Sequence, residues 1–308
     1  MSQLGDFSDP PALRALVDDL TDGGRLNDRF ENFAIQNIST WVLAGGFPKD
    51  TMRFYGYPAD QPLYVFMVDE SDPHIQVRTP SEGHNSEILE ESLVHVLKLL
   101  MPAIEKHGKV LLEADIIVRA MFFKLQSEGW PFETVYYGDF FPYFMDERQK
   151  KMLLKTELTA PDGYQLGVID IPKEHEKIHS VWPFSNTAPV QITRERLYNL
   201  PSACVRDLNG NLASWELTHA FGQLTHLFTL EPYRGSGIGL LAENLLAQIT
   251  ARNGLQVYKY VVDTNVSVVR GTDKHPLWSQ WRSIKGGTES DENEKDIRWS
   301  FNIFNYKK

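Results

Sequence analysis

A single cysteine, Cys204, in 308 residues leaves no pair for an intrachain disulfide and no thiolate set for a structural zinc. Its neighbours Ala203 and Val205 predict a buried strand thiol rather than a nucleophile. Long apolar runs are also missing. The longest are broken by His95, Lys98 and Arg119, so no transmembrane helix and no membrane partner are expected. Positive charge is in short supply. With 31 Lys and Arg against 41 Asp and Glu, the net charge is −10. That balance excludes broad nucleic-acid binding, which needs clustered cations to displace counterions. It does not exclude one anionic ligand, because backbone N–H groups can hold phosphate in an acidic protein. The first residues carry Asp6, Asp9, Asp18, Asp19 and Asp22. A mitochondrial transit peptide would be basic and a secretory signal would need an apolar core. No clear targeting segment is therefore read, and a cytoplasmic or mitochondrial location stays open. No Gly-Lys-Ser/Thr triplet occurs, which removes a P-loop. No metal and no obligate protein partner are expected.

What is present reads as a globular α/β (α+β) protein. Hydrophobic residues make up 42% and aromatic residues 12%, and the length suits two domains. Residues 12–20 carry helical spacing. Residues 62–68 and 74–78 read as strands. Residues 86–106 form the clearest helix: Ile88, Leu89, Leu93, Val96, Leu97, Leu100 and Ile104 recur at i, i+3, i+4 and i+7, and Ser86 or Asn85 can cap it. A strand at 110–113 and a helix at 116–128 follow, suggesting a small α/β domain over about residues 50–150. The aromatic cluster at 136–144 reads as domain-interface core. Polar residues 146–151 and the turn at 159–163 mark a boundary, giving domains 1–154 and 155–308. The second half reads as strand 166–169, helix 172–181, short helix 193–197, strand 202–206, an Asn209-Gly210 turn, strand 212–218, strand 223–230, helix 240–252, strand 257–262 and short helix 265–270. Residues 288–296 read as a solvated charged loop and 297–304 as a late strand. No short-period repeat is visible.

The most informative stretch is Tyr233-Arg234-Gly235-Ser236-Gly237-Ile238-Gly239, between a strand and a helix. A glycine-rich turn at a helix start leaves N–H groups unshielded, and with the helix dipole they form a site for phosphate oxygens. A dinucleotide fingerprint would place its third glycine at Leu240, so that pattern fails. Glycines serving only a tight turn are the plain alternative.

The Arg-x-x-Gly-x-Gly spacing in this setting resembles the pyrophosphate loop of the Gcn5-related N-acyltransferases. The chain is closer still to the glycine N-acyltransferase-like proteins, over about residues 155–283. The carrying residues are His179-Ser-Val-Trp182-Pro-Phe, Asn209 to Leu217, Thr229-Leu-Glu-Pro-Tyr-Arg234, Gln256-Val-Tyr258, Asn265 and Pro276-Leu-Trp278-Ser-Gln-Trp281. The matching tryptophans read as core anchors. The resemblance implies a C-terminal acyltransferase fold with a splayed mixed sheet, behind a smaller α/β N-terminal domain. It implies transfer of an acyl group from acyl-coenzyme A to the amine of glycine or a similar small amino acid, by direct attack in a ternary complex. It also implies that the strands at 223–230 and 257–262 part beyond the loop and that a free N–H near Leu230 steadies the oxyanion. The coenzyme would be held by Leu230, Arg234, Gly235, Ser236, Gly237, Ile238, Gly239 and Asn265. Asn265 reads equally well as a helix N-cap.

An amino acid arrives as an ammonium and must lose a proton before attack. The resemblance places a glutamate at the start of the strand preceding the loop; this chain has Gln223, an amide that takes up no proton. If the hairpin turn is 219–222, Thr218 faces Gln223 and Glu216 faces Thr225, so Glu216, Gln223 and Thr225 share a face. Glu216 or His219 then accepts the proton and Gln223 orients the acceptor; His226 falls on the other face. An ordinary exposed strand residue is the plain reading of Glu216. A protein N-acetyltransferase and a non-catalytic acyl-coenzyme A binder remain as alternatives.

Overall fold

The computed structural model describes residues 3–22, 30–47, 50–80, 85–281 and 299–307. The charged loop expected at 288–296 lies outside the described residues. The chain divides into two units. One takes residues 1–142, 261–273 and 280–308, the other 143–260 and 274–279. The sequence reading drew one boundary at 154/155; the observed division instead returns late in the chain to the first unit, where the last strand finds both its neighbours.

The first unit runs β1 (Gly5–Asp6), α1 (Pro10–Asp22), α2 (Asn32–Leu43), β2 (Met52–Tyr57), β3 (Tyr64–Asp69), β4 (His74–Arg78), α3 (Ser86–His107), β5 (Lys109–Asp115), α4 (Ile116–Ser127) and β6 (Phe132–Phe144). β1 to β4 pair as antiparallel neighbours, and β4 pairs parallel with β5. The late strand β13 (Trp299–Tyr306) is antiparallel to both β5 and β6. The expected stripe of α3 is buried through Leu89, Leu93, Val96, Leu97, Leu100 and Ile104, against Phe66, Val110, Phe122 and Phe304. Asn85 caps the helix and Gly108, at φ 71°, ends it. The aromatic run at 136–144 belongs to β6.

The second unit runs α5 (Glu147–Lys155), β7 (Tyr164–Gly167), α6 (Ile171–Ser180), α7 (Val190–Asn199), β8 (Ser202–Asp207), β9 (Leu212–Thr218), β10 (Leu224–Thr229), α8 (Ile238–Arg252) and the first residues of β11 (Tyr258–Val262). The chain then forms α9 (Val266–Asp273) and β12 (Ser279–Gln280). α5 stands where the sequence suggested only a polar boundary. It starts on a reciprocal capping box between Asp146 and Gln149, a signal present in the sequence. Strand order is β11-β10-β9-β8-β7. One face packs Cys204, Trp215 and Leu217 against Ile178 of α6 and Leu197 of α7; the other packs Val205 and Ala213 against Ile238, Leu241 and Ala242 of α8. Cys204 is fully buried, and desolvation pushes its thiol up to about 11, as a structural thiol requires. Trp215 and Trp278 are buried, in line with core anchoring.

Along the chain, the order strand, two helices, three-strand meander, helix, strand, helix, strand occurs twice, as β1 to β6 and as β7 to β12. The repeat is one of topology.

Candidate active site

The glycine run forms an open cradle at the start of α8. A short 3₁₀ turn at Glu231–Tyr233 brings β10 into the loop. Gly235 and Gly237 hold φ of +79° and +81°, where a side chain is strained, and a Cβ built on either meets nothing within 4 Å. Gly237 is the N-cap of α8 and brings no side-chain cap, so the first-turn N–H groups face outward uncapped. Arg234 is exposed, its Nε donating to the Thr229 carbonyl at 3.1 Å. Its guanidinium stands 5.6 Å over the Phe228 ring, held beside the cradle. Ser236 Oγ donates to the Tyr233 carbonyl, and Tyr233 donates to Asp207 Oδ2 at 2.9 Å, which fixes the loop's entry. Gly239 sits close to Thr229, where a Cβ would come within 3.0 Å of Oγ1. The charge, the aligned N–H groups and the unfilled space suit a diphosphate.

The sheet beside the loop opens as a fork. β10 and β11 share one register pair, Leu224 with Lys259. The ladder of β10 with β9 is broken between Thr225 and Phe228, so His226 and Leu227 stand opposite Glu216 as a bulge. Leu230 corrects an expectation. Its N–H donates to the Ala213 carbonyl at 3.0 Å, so that donor is committed to the sheet.

The bulge and a longer turn also change the faces. His219 N–H donates to the Gln223 carbonyl, Thr218 pairs with Leu224, and Leu217 pairs with Thr225. Sequence reasoning had Thr218 opposite Gln223. The slip of one residue puts Thr225 on the face opposite Glu216. Glu216 lies on the α8 side, 2% exposed, near Glu243 of α8 and Lys259 of β11. Burial first, and then Glu243, push its carboxyl well above the usual carboxylate range, against the pull of Lys259. Its Oε2 meets no hydrogen-bond partner among the described residues. Glu243 pairs with Lys259 and accepts from Trp278 Nε1 at 3.2 Å, while Lys259 stands 4.3 Å over the Trp278 ring. These contacts tie α8, whose first turn forms the cradle, to the second arm of the fork. His219 closes the hairpin, its Nδ1 accepting from Phe221 N–H. Gln223 is buried in the turn, one residue before β10. Asn265 precedes α9, in a segment that belongs to the first unit, and its Oδ1 accepts from Ser267.

The first unit's counterpart of this place is closed. β4 and β5 pair at three positions, His74 with Leu111, Ile75 with Leu112 and Gln76 with Glu113. Past them Thr79 Oγ1 lies 3.0 Å from Asp115 Oδ2 and 3.1 Å from Glu31 Oε1, bridging the strand ends. Asn85 Oδ1 accepts from Glu87 and Ile88 N–H, both at 3.1 Å, filling the start of α3.

No protein-family model matches the chain. Over 137 residues, 42% of its length, it is 27% identical to a glycine N-acyltransferase of Mus musculus; that match spans 46%, about half, of the curated relative. Among solved structures, a Drosophila protein superposes with a TM-score of 0.72 at 13% identity, covering 99% of both chains. A tandem GNAT protein from the clavulanic acid biosynthesis pathway gives 0.55 at 11% identity over 98% of this chain and 97% of that one. A Gcn5-related N-acetyltransferase from Sphaerobacter thermophilus gives 0.52 at 9% identity, over 98% and 94%. At such identities the likeness is one of fold.

Proposed function

We propose that this chain, a glycine N-acyltransferase-like protein with the Gcn5-related N-acyltransferase fold, moves an acyl group from acyl-coenzyme A to the amine of a small amino acid. The observation that carries the reading is the uncapped helix start with open glycines at 235 and 237, beside a fork in the sheet. Arg234 and the N–H groups of α8 would take the diphosphate. The parted edges of β10 and β11 would take the extended arm, as an added strand would. The amine forms a C–N bond to the thioester carbonyl carbon, the C–S bond breaks, and coenzyme A leaves as its thiol while the nitrogen gives up a proton. With the Leu230 amide committed, the interrupted ladder at His226 and Leu227 is the place for an oxyanion donor. Glu216, buried with its carboxyl held well above the usual carboxylate range, faces the Glu243–Lys259 pair on the α8 side.

The test is thiol release from several acyl-coenzyme A donors against a mixture of amines, with the amide identified by mass spectrometry. Amine-dependent release is expected. Tight acyl-coenzyme A binding with no release across the panel would establish the non-catalytic binder instead.

A further inference from the structure

His226 combines four observations that the loop and the fork do not explain. It is the one non-glycine residue with positive φ among the described residues, at 57°, a conformation that costs on the order of 1 kcal/mol or more. It sits in the bulge that interrupts the β9–β10 ladder. Its ring lies 6.3 Å from those of Trp182 and Trp215, and Nε2 is buried with no hydrogen-bond partner among the described residues. Beside it is a small recess of about 20 Å³, walled by Trp182, by Thr193 and Arg196 of α7, and by Thr225 and His226 of β10. Burial, with His179 and Arg196 nearby, pushes the imidazole down to about 4, so the ring is neutral at physiological pH.

The positive φ by itself favours histidine over an aliphatic residue, but it does not require a ring nitrogen buried without a partner. An aliphatic side chain would fill this aromatic wall without stranding a polar atom, which is costly inside a protein. In the tautomer that carries the ring proton on Nδ1 the stranded atom is an acceptor, and its missing partner is a donor. The recess has room for about one water, the size of a primary amino group. Arg196 opposes a cation there, favouring the uncharged amine that acyl transfer requires.

We propose that this recess seats the acceptor's amino group as its free base, with His226 Nε2 accepting a hydrogen bond from the amine N–H and the walls restricting the acceptor to primary amines. This deepens the acyltransferase reading and rests on it. The nitrogen would lie on the α6–α7 face of β10, next to the bulge.

Three measurements test it, with glycine and N-methylglycine as probes. Calorimetric titration with acyl-coenzyme A comes first; absent binding would end the acyltransferase reading while leaving the recess to the next measurement. In the wild-type chain, the Cε1–H resonance of His226 is expected to move on adding glycine at pH 8.5 and to stay put with N-methylglycine. A resonance unmoved by glycine overturns the proposal, and no variant is needed to see it. In steady-state kinetics, His226→Leu should raise KM for glycine about tenfold and leave KM for acyl-coenzyme A within twofold. No rise, or an equal rise in both, overturns it. Thr225→Ala should enlarge the recess and admit N-methylglycine as acceptor; continued exclusion would count against the walls as the filter.

Discussion

Two stretches of the chain, β1 to β6 and β7 to β12, run through the same sequence of elements and end at opposite states of one feature. In the first, the third meander strand and its parallel neighbour pair at three positions, a hydroxyl bridges the strand ends to two carboxylates, and Asn85 occupies the helix start. In the second, the corresponding strands share one pair, the ladder beside them is bulged, and Gly237 leaves the helix start bare. The β3–β4 ladder of the first unit has no such shift. The difference teaches that an open helix start beside a forked sheet is made by withholding contacts. Where the first unit fills its helix start with the Asn85 side chain, the second leaves that start to a glycine.

The comparison breaks most decisively on stoichiometry. Acyl-coenzyme A should saturate at one molecule per chain in calorimetry, and Gly237→Val, which forces a branched side chain into φ +81°, should weaken binding about a thousandfold. Two sites per chain would show that the first unit's closed fork still binds.

A smaller effect concerns the bulge. His226 has a folded-state value near 4 against an ordinary 6.5, so between those values the folded chain binds fewer protons than the unfolded one. The sign follows: stability is full above pH 6.5 and falls as pH drops towards 4. At about 1.4 kcal/mol per pH unit the loss reaches about 3 kcal/mol. Denaturant midpoints at pH 4.5 and 7 should show a weaker pH dependence in His226→Leu than in wild type. The same slope in both would remove the buried imidazole as its source.

The smallest effect sharpens the first unit's side. Asn85→Ala removes a capping side chain and should cost about 1 kcal/mol in chemical unfolding without altering the affinity for acyl-coenzyme A. A changed affinity would mean that the capped helix takes part in binding.

Much of this was legible in the residues because the signals are local. The α3 stripe, the Asn-Gly hairpin and the glycine loop each announce themselves within a few positions of chain. The α5 capping box was equally local and was passed over because its surroundings are polar. The face assignments were beyond reach for another reason. Nothing in the alternation of Leu224, Thr225, His226, Leu227 and Phe228 marks an inserted residue, and a slip of one position moves every side chain to the other surface. The pairing of β13 with β5 joins positions almost two hundred residues apart, which no local pattern encodes. The twofold recurrence of topology was hidden because equivalent elements bury different residues.

Asp207 gathers the Asn209 and Asn211 N–H groups and the Asn211 amide at the tip of the β8–β9 hairpin, and it also receives the Tyr233 hydroxyl from the loop. One carboxylate thus hitches a solvent-facing tip to the mouth of the cradle. In the proposed complex, grip on the diphosphate would then be adjustable from a place that never touches it, and sequence drift at the tip would act as a remote dial on ligand residence time.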